Sequence, residues 1–258
     1  MWGITMSKSN DLRRNEITKI ILAKEKVRVE ELANSLNVTA ETIRSDLTFL
    51  EAKGILYRTH GGATLRNSII DIPMDVRIRE RAAEKKALAY KAINFINDDD
   101  TIFIDPSSTA LPLGILLRIK KNLTIVTNSY ELVPILAESD HRILFVGGEY
   151  SRSGKRTEGG YALDMVESIC YDLCITGMDG CLGTHGPATG NADASIINKR
   201  VMKRSKKKMI LTDASKFKTS APHQYARFDE FDILVTNTLS EEDRARINIP
   251  TIIEVPVE

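Results

Sequence analysis

Along the first quarter of the chain, apolar residues recur at the spacing of a helix. Leu12, Ile17, Ile20 and Ile21 do so within residues 10–24, and Ile43, Leu47 and Leu50 fall at i, i+4 and i+7 of a later stretch. Each pattern predicts a helix with one core-facing stripe. Between them, EELANSLN (30–37) predicts a short helix, Asn37 and Val38 a tight turn, and Thr39 an N-cap for the third helix. Gly54 stands where that helix should stop. ILYRTH (55–60) alternates apolar and polar residues like a half-exposed strand, and Gly61-Gly62 closes the unit. The expected domain covers residues 1–62, near the lower practical size for an independent core.

Residues 63–80 are polar and mixed, with Pro73 among them, and read as a linker running into a helix. From about residue 82 the texture changes. Short β-rich runs alternate with helical stretches: TIFID (101–105), LTIVT (123–127), RILFV (142–146), LCIT (173–176), KMILT (208–212), ILVT (233–236) and TIIEV (251–255). That alternation predicts an α/β domain over 81–258 with a mostly parallel sheet covered on both faces.

Composition adds limits. The 258 residues are 42% hydrophobic, a globular value, and 36 Lys plus Arg against 35 Asp plus Glu leave overall charge silent about nucleic acid. No apolar run approaches the roughly 20 residues that span a bilayer, and MWGITMSKSND lacks the apolar core of a signal peptide. A cytoplasmic location is expected. Cys170, Cys174 and Cys181 form no CxxC pair, so neither a zinc site nor any other metal or cofactor is expected, and Cys174 reads as a buried thiol. No GxSxG, HExxH or GxxxxGK[ST] motif is present. KRSKKK (203–208) is basic but directly precedes a strand, and reads as a solvated helix end rather than a nucleic-acid site.

Helix, tight turn, helix, strand and glycine pair is the order of a winged helix-turn-helix, whose second motif helix lies in the major groove. The outward residues Thr42, Arg44, Ser45 and Thr48 would then meet DNA, with Arg58 and His60 reaching it from the wing. Arg44 suits a bidentate pair with guanine or a phosphate contact, and the short hydroxyl side chains allow close approach. An ordinary solvated helix face, or a protein-interaction module, is the alternative reading of the same residues. The weak local positive charge favours two half-sites bound by a dimer or larger homo-oligomer.

In the second domain the strand ends carry the candidate chemistry. Asp105-Pro-Ser107-Ser108-Thr109, Asn128-Ser129, Gly147-Gly148-Glu149, Gly177-Met-Asp179-Gly180 and Asp213-Ala-Ser-Lys216-Phe217 each follow a predicted strand. In an open parallel sheet such ends gather along one edge, where ligands bind. Ser107, Ser108, Thr109 and Lys216 suit a phosphate, and Asp105, Asn128 and Asp179 suit sugar hydroxyls. Taken singly, each also reads as a cap or turn residue.

The stretch from Glu30 to Ala63 resembles the N-terminal signature of the DeoR family of bacterial transcriptional regulators. The matching positions are Glu31-Leu32-Ala33, Val38, Thr42-Ile43-Arg44, Asp46-Leu47, Leu50-Glu51, Gly54, Leu56, Arg58 and His60-Gly61-Gly62-Ala63. Ser45 departs from it, because the family usually has a second arginine there. The second domain is similar to the family's effector domain at Asp105 with Ser108-Thr109, Thr127-Asn128-Ser129, Gly147-Gly148-Glu149, Asp179-Gly180 and Asp213 to Phe217. Ser107 stands where glycine is common, and Ser195 where a glutamate usually precedes the lysine aligned with Lys199.

The resemblance implies a regulator, a repressor of a carbohydrate operon, that binds double-stranded operator DNA and a small phosphorylated sugar. It also implies a second domain related in fold to sugar-phosphate isomerases. The effector residues it implies are Asp105, Ser107, Ser108, Thr109, Asn128, Gly147, Gly148, Asp179, Asp213 and Lys216. The rival is a sugar-phosphate isomerase or deaminase with an accessory N-terminal domain, for which Asp105, Asp179 and Lys216 would supply acid–base groups.

Overall fold

The computed structural model describes residues 3–24, 26–65 and 74–256. Positions 66–73 of the expected linker lie outside them. The chain divides into two units, Met1–Val76 and Arg77–Glu258.

The first unit contains α1 (Gly3–Lys24), β1 (Lys26–Arg28), α2 (Val29–Ser35), α3 (Ala40–Ala52), β2 (Leu56–Thr59) and β3 (Gly62–Leu65). Ile17 and Ile21 of α1, Leu32 of α2, and Ile43, Leu47 and Leu50 of α3 form its core with Leu56. A lone 13-residue helix such as α3 is marginal in water. Burying these side chains, at roughly 1.5–3 kcal/mol each, holds it in place. Leu12 is exposed, because five residues before Ile17 is the far side of a helix with 3.6 residues per turn.

Thr39 caps α3 as expected, its hydroxyl accepting a 3.2 Å hydrogen bond from the Thr42 N–H. Gly54, at φ +74°, ends the turn after the helix. The wing runs past the glycine pair, since β3 is the middle strand of a three-stranded antiparallel sheet ordered β1-β3-β2. Gly62 allows that pairing: a Cβ there would lie 2.1 Å from the carbonyl oxygen of Val27 on β1.

The second unit's elements are α4 (Met74–Arg79, entered from the first unit), α5 (Ala82–Ala92), β4 (Thr101–Ile104), α6 (Leu111–Leu116), β5 (Thr124–Thr127), α7 (Leu132–Leu136) and β6 (Arg142–Phe145). Next come β7 (Glu149–Ser151), β8 (Arg156–Glu158), α8 (Gly160–Glu167), β9 (Tyr171–Thr176), β10 (Ala188–Thr189), α9 (Ala192–Lys203) and β11 (Ser205–Leu211). The last are β12 (His223–Gln224), β13 (Ile233–Asn237), α10 (Glu241–Ala245) and β14 (Thr251–Val255).

All seven expected apolar runs become strands of one parallel sheet, ordered β14-β13-β11-β9-β4-β5-β6. Alternation along β4 serves its two faces. Ile102 and Ile104 pack with Leu88 of α5 and Leu113 of α6, while Phe103 packs with Val166 of α8 and Ile197 of α9. The chain builds outward from β4 through β5 to β6, then returns to place β9 on the other side of β4 and continues to β14. The order reverses between β4 and β9, and at such a point the loops diverge and leave a crevice beyond the strand ends. Two short antiparallel ribbons, β7–β8 and β10–β12, lie outside the sheet.

Candidate functional site

The crevice is present. The loops after β4 and β9 border a cleft of about 610 Å³, its open mouth included. It is lined by Asp105, Ser107, Ser108, Thr109, Asn128, Asp179 and Lys216, and also by Arg77, Arg156, Asn191 and Asn198.

Asp105 is buried at the reversal point. One carboxylate oxygen accepts a 3.0 Å hydrogen bond from the Ser107 N–H and the other a 2.7 Å bond from the Gly177 N–H. Burial raises its pKa above the usual 3.8, against the pull of those two donors. A carboxyl held by two main-chain donors is a brace between loops. Ser107 closes its own turn, its hydroxyl accepting from the Ala110 N–H at 3.3 Å. Ser108 and Thr109 are buried beside it, and their hydroxyls make no hydrogen bond to protein among the described residues, which leaves them for a ligand.

On the cleft's other sides the Asn128 side-chain N–H donates to the Thr157 carbonyl at 2.8 Å. The Asn128 Oδ1 is buried with no partner, an acceptor waiting for a donor. Asn191 caps α9, accepting from the Ala194 N–H at 2.9 Å, so the first turn of a 12-residue helix faces the cleft with its partial positive charge.

Three cationic side chains line the same cleft. The Arg77 guanidinium lies 3.4 Å from Asp179, whose other oxygen accepts from the Gly190 N–H at 2.9 Å. Arg156 is buried, its Nε donating to Glu158 at 3.0 Å. Lys216 has no ion pair among the described residues. Behind the wall, buried Lys85 donates to the Arg77 carbonyl, and burial lowers its pKa from 10.5 to about 8, partly offset by nearby Asp213. The cleft can hold a small anion at one part and several hydroxyl groups at another.

Of the expected effector residues, the cleft gathers all but Gly147, Gly148 and Asp213. The two glycines form the turn from β6 to β7. Gly148, at φ +145°, is where a Cβ would meet the Glu158 carbonyl oxygen at 2.5 Å. Asp213 instead caps the short turn Ala214–Lys218 through the Ser215 N–H, and that turn carries Lys216 to the cleft. Lys199 is exposed and Ser195 is buried, both off the cleft, and the neighbouring Asn198 faces into it. Arg77, Arg156, Asn191 and Asn198 carried no signal in the sequence. They come from α4, the β7–β8 ribbon, and the N-cap and second turn of α9, whose juxtaposition with the strand ends is purely tertiary.

The outward face of α3 presents Glu41, Arg44, Ser45 and Thr48. Arg44 donates to Glu41 at 3.1 Å. The Thr48 hydroxyl donates to the Arg44 carbonyl and accepts from Arg58 of the wing, both at 2.8 Å. Thr48 therefore couples helix to wing. Thr42 is half-buried, bonded to Thr39 across the cap at 2.9 Å, and His60 is exposed at the hairpin tip beside Gly61. Asp46, one residue beyond Ser45, is buried between Arg13 and Arg14 of α1 at 2.5 and 2.9 Å. Arg14 also stacks on Phe49 at 3.8 Å.

No helix among the described residues is long and apolar enough to cross a membrane. Among the same residues, no group of three or more His, Cys, Asp or Glu could hold a metal ion. Burial pushes the Cys174 and Cys181 thiols up to about 12 and about 11.

Comparison with known proteins agrees with both halves of this architecture. Residues 13–69 match the DeoR-like helix-turn-helix domain, and residues 80–238 match the DeoR C terminal sensor domain. The HTH-type transcriptional regulator IolR of Bacillus subtilis is 29% identical over 227 residues, covering 88% of this chain and 90% of the relative. The glycerol-3-phosphate regulon repressor of Escherichia coli is also 29% identical over 227 residues, covering 87% and 90%. A solved D-ribose-5-phosphate isomerase aligns with a TM-score of 0.39 at 23% identity over 52% of this chain and 53% of that one. With both units matched in order, the chain belongs to the DeoR family of transcriptional regulators, a helix-turn-helix unit followed by a sensor domain.

Proposed function

We propose that this regulator is a cytoplasmic repressor of a carbohydrate-metabolism operon, released or engaged by a small phosphorylated sugar or related metabolite bound in the cleft. The observation that carries the reading is the cleft itself. Arg77, Arg156 and Lys216 line it together with the unbonded hydroxyls of Ser108 and Thr109, at the point where the sheet reverses. The phosphate belongs with Lys216, Ser108, Thr109 and Arg77, and the sugar hydroxyls with Asn128, Asn198 and Asp179. Support also comes from the Escherichia coli relative, which is named for a regulon of a phosphorylated metabolite.

On this reading the first unit binds double-stranded operator DNA through Thr42, Arg44, Ser45, Thr48, Arg58 and His60, and Thr42 and Thr48 act mainly by shaping the surface. The second unit, beyond the linker, binds the effector and joins copies of the chain into a dimer or tetramer. Two α3 helices then meet half-sites about 34 Å apart, and a shift of a few Å between them spoils the register. A coupling free energy of about 1–3 kcal/mol suffices for control.

Thermal shift with a panel of sugar phosphates, on the native chain and on Lys216→Ala, tests this. A phosphate-dependent rise in Tm, lost in the variant while its affinity for promoter DNA persists, is the expected result. Unchanged ligand response in Lys216→Ala would place the phosphate elsewhere. Turnover of a sugar phosphate by the native chain would favour the isomerase or deaminase reading instead.

A further inference from the structure

We propose that Glu41 is a base-reading residue of α3 and that it selects cytosine; this rests on the reading that α3 enters the major groove of DNA. Glu41 stands in the first turn of α3 with its side chain 83% exposed, and its carboxylate accepts a 3.1 Å hydrogen bond from Arg44. The N-terminal residues of a recognition helix are those that meet base edges. Both members of this ion pair therefore enter the groove together.

A carboxylate in the groove lies between two rows of phosphates and is repelled unless it finds a donor. Position 45 is one turn beyond Glu41, where a cation would share the carboxylate at i+4. Ser45 supplies none, so among the described residues Arg44 is the cation paired with Glu41. The other Glu41 oxygen accepts no hydrogen bond among the described residues.

The major groove offers two amino donors, N6 of adenine and N4 of cytosine. Adenine sets the acceptor N7 beside its amino group, and that lone pair repels a carboxylate. Cytosine's own neighbour to N4 is the C5–H, which carries no lone pair, and the acceptors of the pair lie on guanine, where Arg44 can take them, so the carboxylate fits at N4. Arg44, held at hydrogen-bond distance, then takes guanine O6 and N7 of the same or the adjoining pair. The acid at this turn also favours the helix dipole; were that its whole role, Glu41→Gln would weaken binding without changing which base is preferred.

In vitro selection from a random duplex library separates these roles, using the native chain, Glu41→Ala, Glu41→Gln and Arg44→Ala. The native chain should enrich one motif containing a cytosine whose preference falls about tenfold in Glu41→Ala. Glu41→Gln should shift that position toward adenine, because an amide both accepts from N6 and donates to N7. Arg44→Ala should lose a guanine in the same or the adjoining pair. If both Glu41 variants enrich the native motif with undiminished preference at every position, Glu41 reads no base and the inference fails alone. If the native chain enriches no motif, the reading of α3 as a DNA-binding helix fails, and the inference with it.

Discussion

Asp105 and Gly177 meet across the point where the sheet reverses, the carboxylate of one accepting a 2.7 Å hydrogen bond from the main-chain N–H of the other. Because the second oxygen accepts from the Ser107 N–H, a single buried side chain fixes both loops that border the cleft. Two donors facing one acceptor-only group make the arrangement sensitive to small chemical changes.

Asp105→Asn keeps the volume but turns an N–H toward a main-chain N–H, leaving a buried donor unmatched. The loss should be about 1–3 kcal/mol. Urea unfolding measures it, and hydrogen exchange should show faster opening at Gly177 and Ser107. A variant as stable as the native chain would show that the brace carries little weight.

Gly177 and Ser107 form a steric pair. A Cβ at Gly177 would lie 2.5 Å from the Ser107 Cβ and 3.0 Å from its Oγ, and then 3.7 Å from the Asp105 carboxylate. Gly177→Ala should cost roughly 1–3 kcal/mol as an overpacked site. Ser107→Gly combined with it should recover most of that, since only ordinary contacts remain. Melting of both single variants and the double variant gives the coupling. Additive effects would mean that the clash is relieved by backbone movement instead.

On α3, neighbouring positions should respond in opposite ways. Asp46→Ala strands Arg13 and Arg14 beside a buried site, costing about 3 kcal/mol, the low end for a broken buried pair because both guanidinium groups keep some access to water. Arg44→Ala, at an exposed position, should leave stability within about 0.5 kcal/mol and reduce DNA affinity. Hydrogen exchange along α3 and a DNA titration of each variant separate the two roles.

Lys85 sets a pH dependence whose sign is fixed. Its folded-state pKa is about 8 against an ordinary 10.5. Between those values the unfolded chain takes up a proton that the folded chain refuses. The folded state is therefore penalised below the window and relieved as pH rises through it. The native chain should gain stability relative to Lys85→Met between about pH 8 and 10.5. Unfolding free energies across that window provide the check, and a flat difference would mean that Lys85 is hydrated.

The fold was largely legible before any tertiary contact was known. Seven β-rich runs became seven parallel strands, because strands covered on both faces need continuous apolar residues and leave that trace. Thr39 and Gly54 marked the ends of α3 through local backbone chemistry. The short strands β1 and β3 left no usable trace, since three or four residues hold too little alternation. Residues 63–65 consequently read as linker although they lie in the middle strand of the wing.

The site divides along the same physical line. Loop residues that directly follow strands, such as Asp105, Ser108 and Lys216, could be placed from sequence, because a parallel sheet brings its strand ends to one edge. Sequence also singled out Ser45 and Ser107 as departures from the family pattern. Only the tertiary structure brought Arg77, Arg156 and Asn198 into the cleft, left Gly147, Gly148 and Asp213 outside it, and set Asp46 against two arginines of α1. Local sequence determines where elements begin, end and bury a face. Which charges meet depends on packing between elements far apart in the chain, and no local pattern encodes that.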